Sequence, residues 1–135
     1  MAYQPSICGV VAIAPVVRHV ASGIVRPPRG LSLPQRLLAI HDELSRVIED
    51  HAPDVMAVEA LFNARNARSS LVLGHARGAA LLAGARAGLE VAEYAPAEVK
   101  KALTGNGQAQ KEQVRFMVMR LLSMREAPHV ETILL

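Results

Sequence analysis

Cysteine is almost absent from this 135-residue chain, which excludes several kinds of chemistry. The single Cys8 cannot form an internal disulfide or a cysteine zinc cluster, and this scarcity is typical of a reducing compartment. Cys8 lies in the apolar run "ICGVVAIA", where a small buried hydrophobic residue is a better interpretation than a nucleophile. The five histidines lack metal-ligand spacing, and no Ser-His-Asp or Cys-His arrangement follows from the sequence.

Aromatic residues are also scarce, because the chain has two Phe, two Tyr and no Trp. An apolar fraction of 51% must therefore build an aliphatic core, and the length fits a single domain over residues 1–135. The run "ICGVVAIA" is too short to span a membrane, and "MAYQPS" lacks the charged start of a signal peptide. We expect a soluble protein that is not exported.

Acidic residues are absent before Asp42, and the remaining charges are unevenly distributed. The formal net charge is only +3, but the stretch from Phe62 to Arg125 holds ten Lys or Arg residues against four Glu. Such a stretch favours an anionic partner, although a merely solvated surface is an equally good interpretation from charge alone.

The hydrophobic pattern predicts the element order β-β-α-β-α-β-α-α. Strands over 7–14 and 19–25 form an antiparallel pair, and further strands lie over 55–61 and 89–95. Helices are predicted over 34–51, 66–88, 96–103 and 109–124. Strands that alternate with helices indicate an α/β layered domain with a mixed sheet.

Two stretches could carry chemistry. In "VMAVEALF" a lone acid, Glu59, ends a buried strand, where open α/β sheets collect ligands. The alternative is a structural ion pair with Arg65 or Arg68. In "GNGQAQKEQV" a glycine-containing turn precedes Lys111 at a helix start, which suits a phosphate but is also an ordinary turn.

Three segments together resemble the RuvC Holliday junction resolvases: "LPQRLLAIHDEL", "PDVMAVEALFNARNARSSLVLGHARGAALLA" and "VAEYAPAEVKKALTGNGQAQKEQVRFMVMRLL". The resemblance covers about 23–128. It implies a ribonuclease H-like fold, a homodimer, and Mg²⁺-dependent nicking of four-way junction DNA in the bacterial cytoplasm. It also implies partnership with the RuvA and RuvB branch-migration proteins.

The resemblance assigns roles residue by residue. Glu59 matches the catalytic strand-end glutamate, a ligand of a site in which carboxylates hold two Mg²⁺ ions. Phe62 matches an aromatic that stacks on a base, with a core aromatic as the alternative. Lys100 and Lys111 match basic residues near the DNA backbone. The other matching motif positions, for which DNA-binding and structural roles both stay open, are Asn66, Ser69 and Arg77.

The chain departs from the family pattern at both ends. The family begins with a strand "GIDPG" that carries a first catalytic aspartate and lies at the centre of the sheet, whereas "CGVVAIA" here matches its second strand. The family's acidic "DAADALA" segment is replaced by "HVETILL", in which Glu131 stands in for one acid and Leu134 occupies the place of the next.

From these departures we expect weak or absent Mg²⁺ binding and little or no cleavage by this chain. A wrong gene start, a frame disruption and a decayed gene would each explain them. The alternatives to an endonuclease are a non-catalytic remnant that binds DNA junctions and an unstable fragment without a function of its own.

Overall fold

The computed structural model of the chain describes residues 6–12, 16–60 and 67–126. The elements follow the predicted order: β1 (Ser6–Ala12), β2 (Arg18–Val25), α1 (Leu33–His51), β3 (Val55–Glu59), α2 (Ala67–Arg86), β4 (Glu90–Tyr94), α3 (Pro96–Thr104) and α4 (Lys111–Leu121). In the described residues, no helix is long and apolar enough to cross a membrane.

Strand pairing confirms the predicted antiparallel pair and adds a parallel one. β1 and β2 run antiparallel, with an irregularity between Val10 and Val11, while β3 and β4 run parallel. The described strands form two separate two-stranded sheets, and no ladder within 6–12, 16–60 and 67–126 joins them. The mixture of strand directions is therefore as predicted, but it is divided between two small sheets.

The N-terminal helix begins and ends at residues that suit its ends. The Ser32 hydroxyl accepts from the Gln35 backbone N–H, and the Gln35 side chain accepts from the Ser32 backbone N–H. Pro34 suits the first turn because its missing N–H would have no helical partner there. The helix ends where Ala52 adopts a left-handed conformation, with φ at 46°, before Pro53.

The main core lies where α1 and α2 pack together over the sheets. Ile40 is fully buried and Leu44 nearly so, and both contact a face of α2 that is built from alanines. The small side chains of α2 let the helices approach closely, as the Ala/Gly-rich sequence predicts. The other members of this cluster are Val25, Ala76, Ala80 and Ala83, with Met56 packed against it.

One glycine fixes the distance between α2 and β3. A Cβ atom at Gly84 would lie 2.5 Å from the Met56 sulfur and 3.3 Å from a Val91 methyl carbon. Only glycine allows this approach without movement of Met56, which belongs to the strand that ends at Glu59.

The last two helices pack on each other around a second, smaller core. Val114, Val118 and Leu122 are buried there, with Leu103 of α3 packed against them. α4 is shorter than predicted, because it ends at Leu121 and Ser123 takes a left-handed conformation with φ at 51°.

Candidate functional site

Glu59 is the last residue of β3, at the edge where the parallel pair β3 and β4 ends. Its register partner is Tyr94, the last residue of β4. The Ala60 backbone N–H donates to the Tyr94 carbonyl at 2.8 Å, so the chain stays paired one residue beyond the strand. Carboxyl ends of parallel strands are where open α/β sheets bind ligands, and Glu59 lies at such an end.

A cavity of about 210 Å³ adjoins Glu59 between the strand ends and α3. Most of the cavity lining is apolar, and the lining residues that carry polar groups are Glu59, Glu98 and Tyr94. Its lining residues are Ala57, Val58, Glu59, Tyr94, Glu98, Val99, Ala102 and Leu103.

Burial raises the pKa of the Glu59 carboxyl above its ordinary value of 4.5, because the apolar surroundings disfavour the charged form. The positive charge of Lys100 on α3 acts in the opposite direction and lowers that pKa, but it does not cancel the effect of burial. A half-buried carboxylate with a raised pKa beside a lysine is typical of sites that bind a cation or exchange a proton.

The alternative of a structural ion pair receives no support from the described part of the chain. Neither Arg68 nor any other described Lys or Arg nitrogen lies within 4.0 Å of the Glu59 carboxylate. Arg65, the other predicted partner, lies outside the described residues. Glu59 is therefore a partly buried acid whose charge no direct described contact neutralises.

α3 places Lys100 near Glu59, and a capping interaction that sequence reasoning missed holds the start of this helix. The Glu98 carboxylate accepts from the Ala95 backbone N–H at 2.7 Å, directly after the strand that pairs with β3. The signal was present, since an acid three residues into a helix that follows a strand is a common start pattern.

Lys111 is the first residue of α4, as predicted, and its side chain is exposed. The preceding turn is well defined: Gly105 has φ at 79°, and the Asn106 side chain accepts from the Gln108 backbone N–H at 2.9 Å. No described carboxylate lies within 4.0 Å of the Lys111 ammonium group. The structure shows no contact between Lys111 and Glu59.

Arg77 lies on α2, and its guanidinium contacts the Glu93 carboxylate of β4 at 2.6 Å. This ion pair joins the helix to the strand next to β3, which is the structural role left open for Arg77. Ser69 lies in α2, but its side chain is outside the described set, as is the side chain of Cys8. The predicted site residues Phe62, Asn66 and Glu131 lie outside the described residues altogether.

The described residues do not fit a two-ion magnesium site. No group of three His, Cys, Asp or Glu side chains in this part of the chain could hold a metal ion. Glu98 lines the same cavity as Glu59, but its carboxylate already caps α3. Since Mg²⁺ sites of hydrolytic enzymes need several oxygen ligands, Glu59 alone cannot supply one.

We predict that Glu59→Gln raises the thermal stability at pH 7 and leaves it unchanged at pH 4. A carboxyl with a raised folded-state pKa is stabilising below its unfolded pKa, and this stability is lost as pH rises through the folded value. Gln carries no charge, so the variant avoids the loss. Thermal unfolding in EDTA across this pH range measures the effect.

Glu90→Gln is the matched control, because it removes the same charge from an exposed position on β4. A Glu59→Gln variant that gains no more stability at pH 7 than Glu90→Gln would show that burial of the Glu59 charge is not costly.

Comparison with known proteins places this geometry in one family. The family model described as "Crossover junction endodeoxyribonuclease RuvC" matches residues 6–133. The RuvC of Acidobacterium capsulatum is 54% identical over 112 residues, which is 83% of this chain and 66% of that protein. The RuvC of Stutzerimonas stutzeri is 49% identical over 113 residues, which is 84% of this chain and 64% of that protein.

Solved structures of RuvC proteins also resemble this chain. Thermus thermophilus RuvC in complex with a Holliday junction substrate superimposes with a TM-score of 0.84 at 35% identity, covering 91% of this chain and 76% of that one. A second T. thermophilus RuvC structure superimposes with a TM-score of 0.79 at 32% identity, covering 91% of this chain and 75% of that one. The chain spans about two thirds of the length of the curated relatives it matches. It belongs, with its ribonuclease H-like α/β fold, to the RuvC family of crossover junction endodeoxyribonucleases.

Proposed function

We propose that this chain is a structure-specific DNA endonuclease of the RuvC type. It would bind four-way junctions and hydrolyse a phosphodiester bond, with Glu59 as a catalytic carboxylate that binds Mg²⁺. The observation that carries the proposal is the position of Glu59 at the end of β3, beside an open cavity and near Lys100. A similar protein of known structure is described in complex with a Holliday junction substrate, which supports the same substrate class here.

The basic residues support a DNA interface around this site. Lys100 and Lys111 have no described carboxylate within 4.0 Å, so their charges are available to phosphates. Phe62 and Asn66 follow Glu59 closely in the chain and stay proposed DNA contacts. Arg77 is the weakest of the proposed DNA contacts, because Glu93 already holds its guanidinium.

The cofactor of the proposed reaction is Mg²⁺, as the family resemblance implies. When bound, Mg²⁺ would supply an activated water and stabilise the leaving oxygen. Glu59 is the one described acid placed for it, and Glu131 is the proposed second ligand, so we propose that binding is weak and cleavage impaired. This shortage of described ligands also favours the second candidate function, a chain that binds junctions without cutting them.

We predict that the chain binds a synthetic four-way junction in EDTA and that binding weakens as salt rises. Phosphate contacts release counterions, so the logarithm of the affinity falls linearly with the logarithm of the salt concentration. Lys111→Ala should weaken binding and reduce the salt slope by about one. Gel-shift titrations against a duplex of equal length measure both effects, and equal affinity for junction and duplex would contradict the proposal.

Cleavage is tested on the same junction with Mg²⁺ added. We expect nicking much slower than that of the A. capsulatum relative at equal concentration, and its complete loss in Glu59→Gln. Glu90→Gln again serves as the charge-matched control. Cleavage as fast as that of the relative would refute the impairment, and residual cleavage that survives Glu59→Gln would refute the role of Glu59.

The proposed functional unit is a homodimer, and α2 offers a surface for it. Leu71 and Leu82 are 64% and 54% exposed, and the exposed Gly74 and Gly78 lie between them on one side of the helix. Nothing lies within 4 Å of a Cβ atom at either glycine, so a second helix could approach closely. Exposed leucines beside small residues are typical of a helix that packs on another protein surface.

We predict a mass of about 29 kDa in solution, twice the chain mass of 14.5 kDa. Leu82→Glu should convert the dimer to a monomer, because a charge would be buried in the interface. Leu121→Glu is the matched control, since Leu121 is a similarly exposed leucine on α4. Light scattering after gel filtration measures the mass. A dimer that survives Leu82→Glu, or a wild-type monomer, would contradict this interface.

The remaining parts of the proposal follow from family membership. We propose that the chain acts as a single domain in the bacterial cytoplasm, together with the RuvA and RuvB proteins on junction DNA. Co-sedimentation of the chain with purified RuvA and RuvB on a four-way junction tests this partnership, and migration of the chain as a separate species would contradict it.

A further inference from the structure

The segment that contains α3 and α4 carries positive charge that its own acids do not neutralise. Of the described carboxylates there, Glu98 caps α3 and Glu112 lies 3.9 Å from Arg115. The remaining cations of the two helices have no described carboxylate within 4.0 Å; they are Lys100, Lys101, Lys111 and Arg120. This excess of positive charge favours a polyanionic partner.

An exposed aromatic, Phe116, lies on the same helix as two of these cations, Lys111 and Arg120. α4 buries Val114 and Val118 against α3, whereas Phe116 points away from that core and is 54% exposed. Phe116 is one of only two phenylalanines in the chain. Leu121 of the same helix is similarly exposed, and single exposed apolar residues are common, so the surroundings of Phe116 decide what its exposure means.

Arg120 packs over the exposed Phe116 ring. Its guanidinium carbon lies 5.8 Å from the centroid of the Phe116 ring, over the ring, one helical turn further along α4. The two flat groups therefore form a small platform with a positive charge at one end. Phe116 stays about half exposed beside Arg120, and no described carboxylate lies within 4.0 Å of the Arg120 guanidinium.

The composition of this platform selects its occupant. An apolar peptide would leave the Arg120 charge without a partner, and an intact duplex does not present the faces of its bases. An unpaired nucleotide supplies a flat base for the ring or the guanidinium plane and a phosphate for the cations. Proteins that bind single strands combine these two features, an aromatic for each base and a basic groove for the backbone.

We propose that Phe116 and Arg120 form a base-stacking site for a single-stranded segment of nucleic acid, on the basic segment that contains α3 and α4. The site rests on the proposed function, because it extends the DNA interface of the junction-binding chain. It is separate from the proposed contact by Phe62, since it lies on a different element.

The test compares two single strands of equal length and phosphate number, one with bases and one made wholly of abasic sites. Fluorescence anisotropy in EDTA gives the affinity of the full chain for each. We expect the wild type to prefer the strand with bases by about tenfold, in keeping with the stacking of one base on an aromatic. Phe116→Leu should lose most of this preference and leave the affinity for the abasic strand unchanged.

Two further variants separate stacking from charge and from folding. Arg120→Lys retains the charge, so the salt dependence should stay the same while the preference for bases falls. Phe116→Trp should restore the preference that Leu removes. Because the chain has no other tryptophan, its fluorescence reports the site directly and should be quenched by the strand with bases but not by the abasic strand.

The site is refuted if Phe116→Leu binds both strands as the wild type does, or if the fluorescence of Phe116→Trp does not respond to bases. Junction binding by the same variants separates this result from a failure of the proposed function. If the wild type binds junctions but shows no preference for bases, the stacking site alone is wrong. If the wild type binds neither junctions nor single strands, both proposals are wrong.

Discussion

The site depends on the cost of holding one carboxylate in partly apolar surroundings. Glu59 ends β3 directly after the buried Val58, and its pKa is raised because burial disfavours the charge. A partly buried charge lowers the stability of the fold, and such a charge at a strand end beside a cavity is typical of a functional site. The surrounding elements hold this acid in place and supply only part of its compensation, through Lys100.

Each of those elements contributes through a short-range contact. Gly84 lets α2 approach β3 closely, which fixes the strand against the helical layer. The parallel register of β3 and β4 brings Tyr94 beside Glu59, and the Glu98 cap starts α3 directly after β4. Lys100 then follows within two residues of Glu98, on a helix whose direction is already set. The position of the positive charge is thus a consequence of the pairing of β3 with β4, which joins distant parts of the chain, and of helix capping, which is local in sequence.

Much of this was predictable because the determining signals are local. The capping pair at Ser32 and Gln35, the apolar run before Glu59 and the glycine turn before Lys111 each act within a few residues, and each element lies close to its predicted position. The pairing of Arg77 with Glu93 was not predictable, because it depends on how α2 lies on β4. The same is true of the division into two small sheets, which depends on strand pairing across distant parts of the chain. The exposure of Phe116 was not predictable either, because an aromatic in an amphipathic helix is usually buried and only the packing of α4 shows that Phe116 is exposed.

In this structure the Glu59 charge destabilises the fold because it is partly buried, and Lys100 partly compensates it. The most direct measurement is the pKa of the Glu59 carboxyl, followed by ¹³C NMR in the absence of divalent ions, in the wild type and in Lys100→Ala. We expect a pKa above 4.5 in the wild type and a further increase in the variant, because removal of the lysine charge leaves burial unopposed. A wild-type pKa at or below 4.5, or a pKa that does not change in Lys100→Ala, would contradict it.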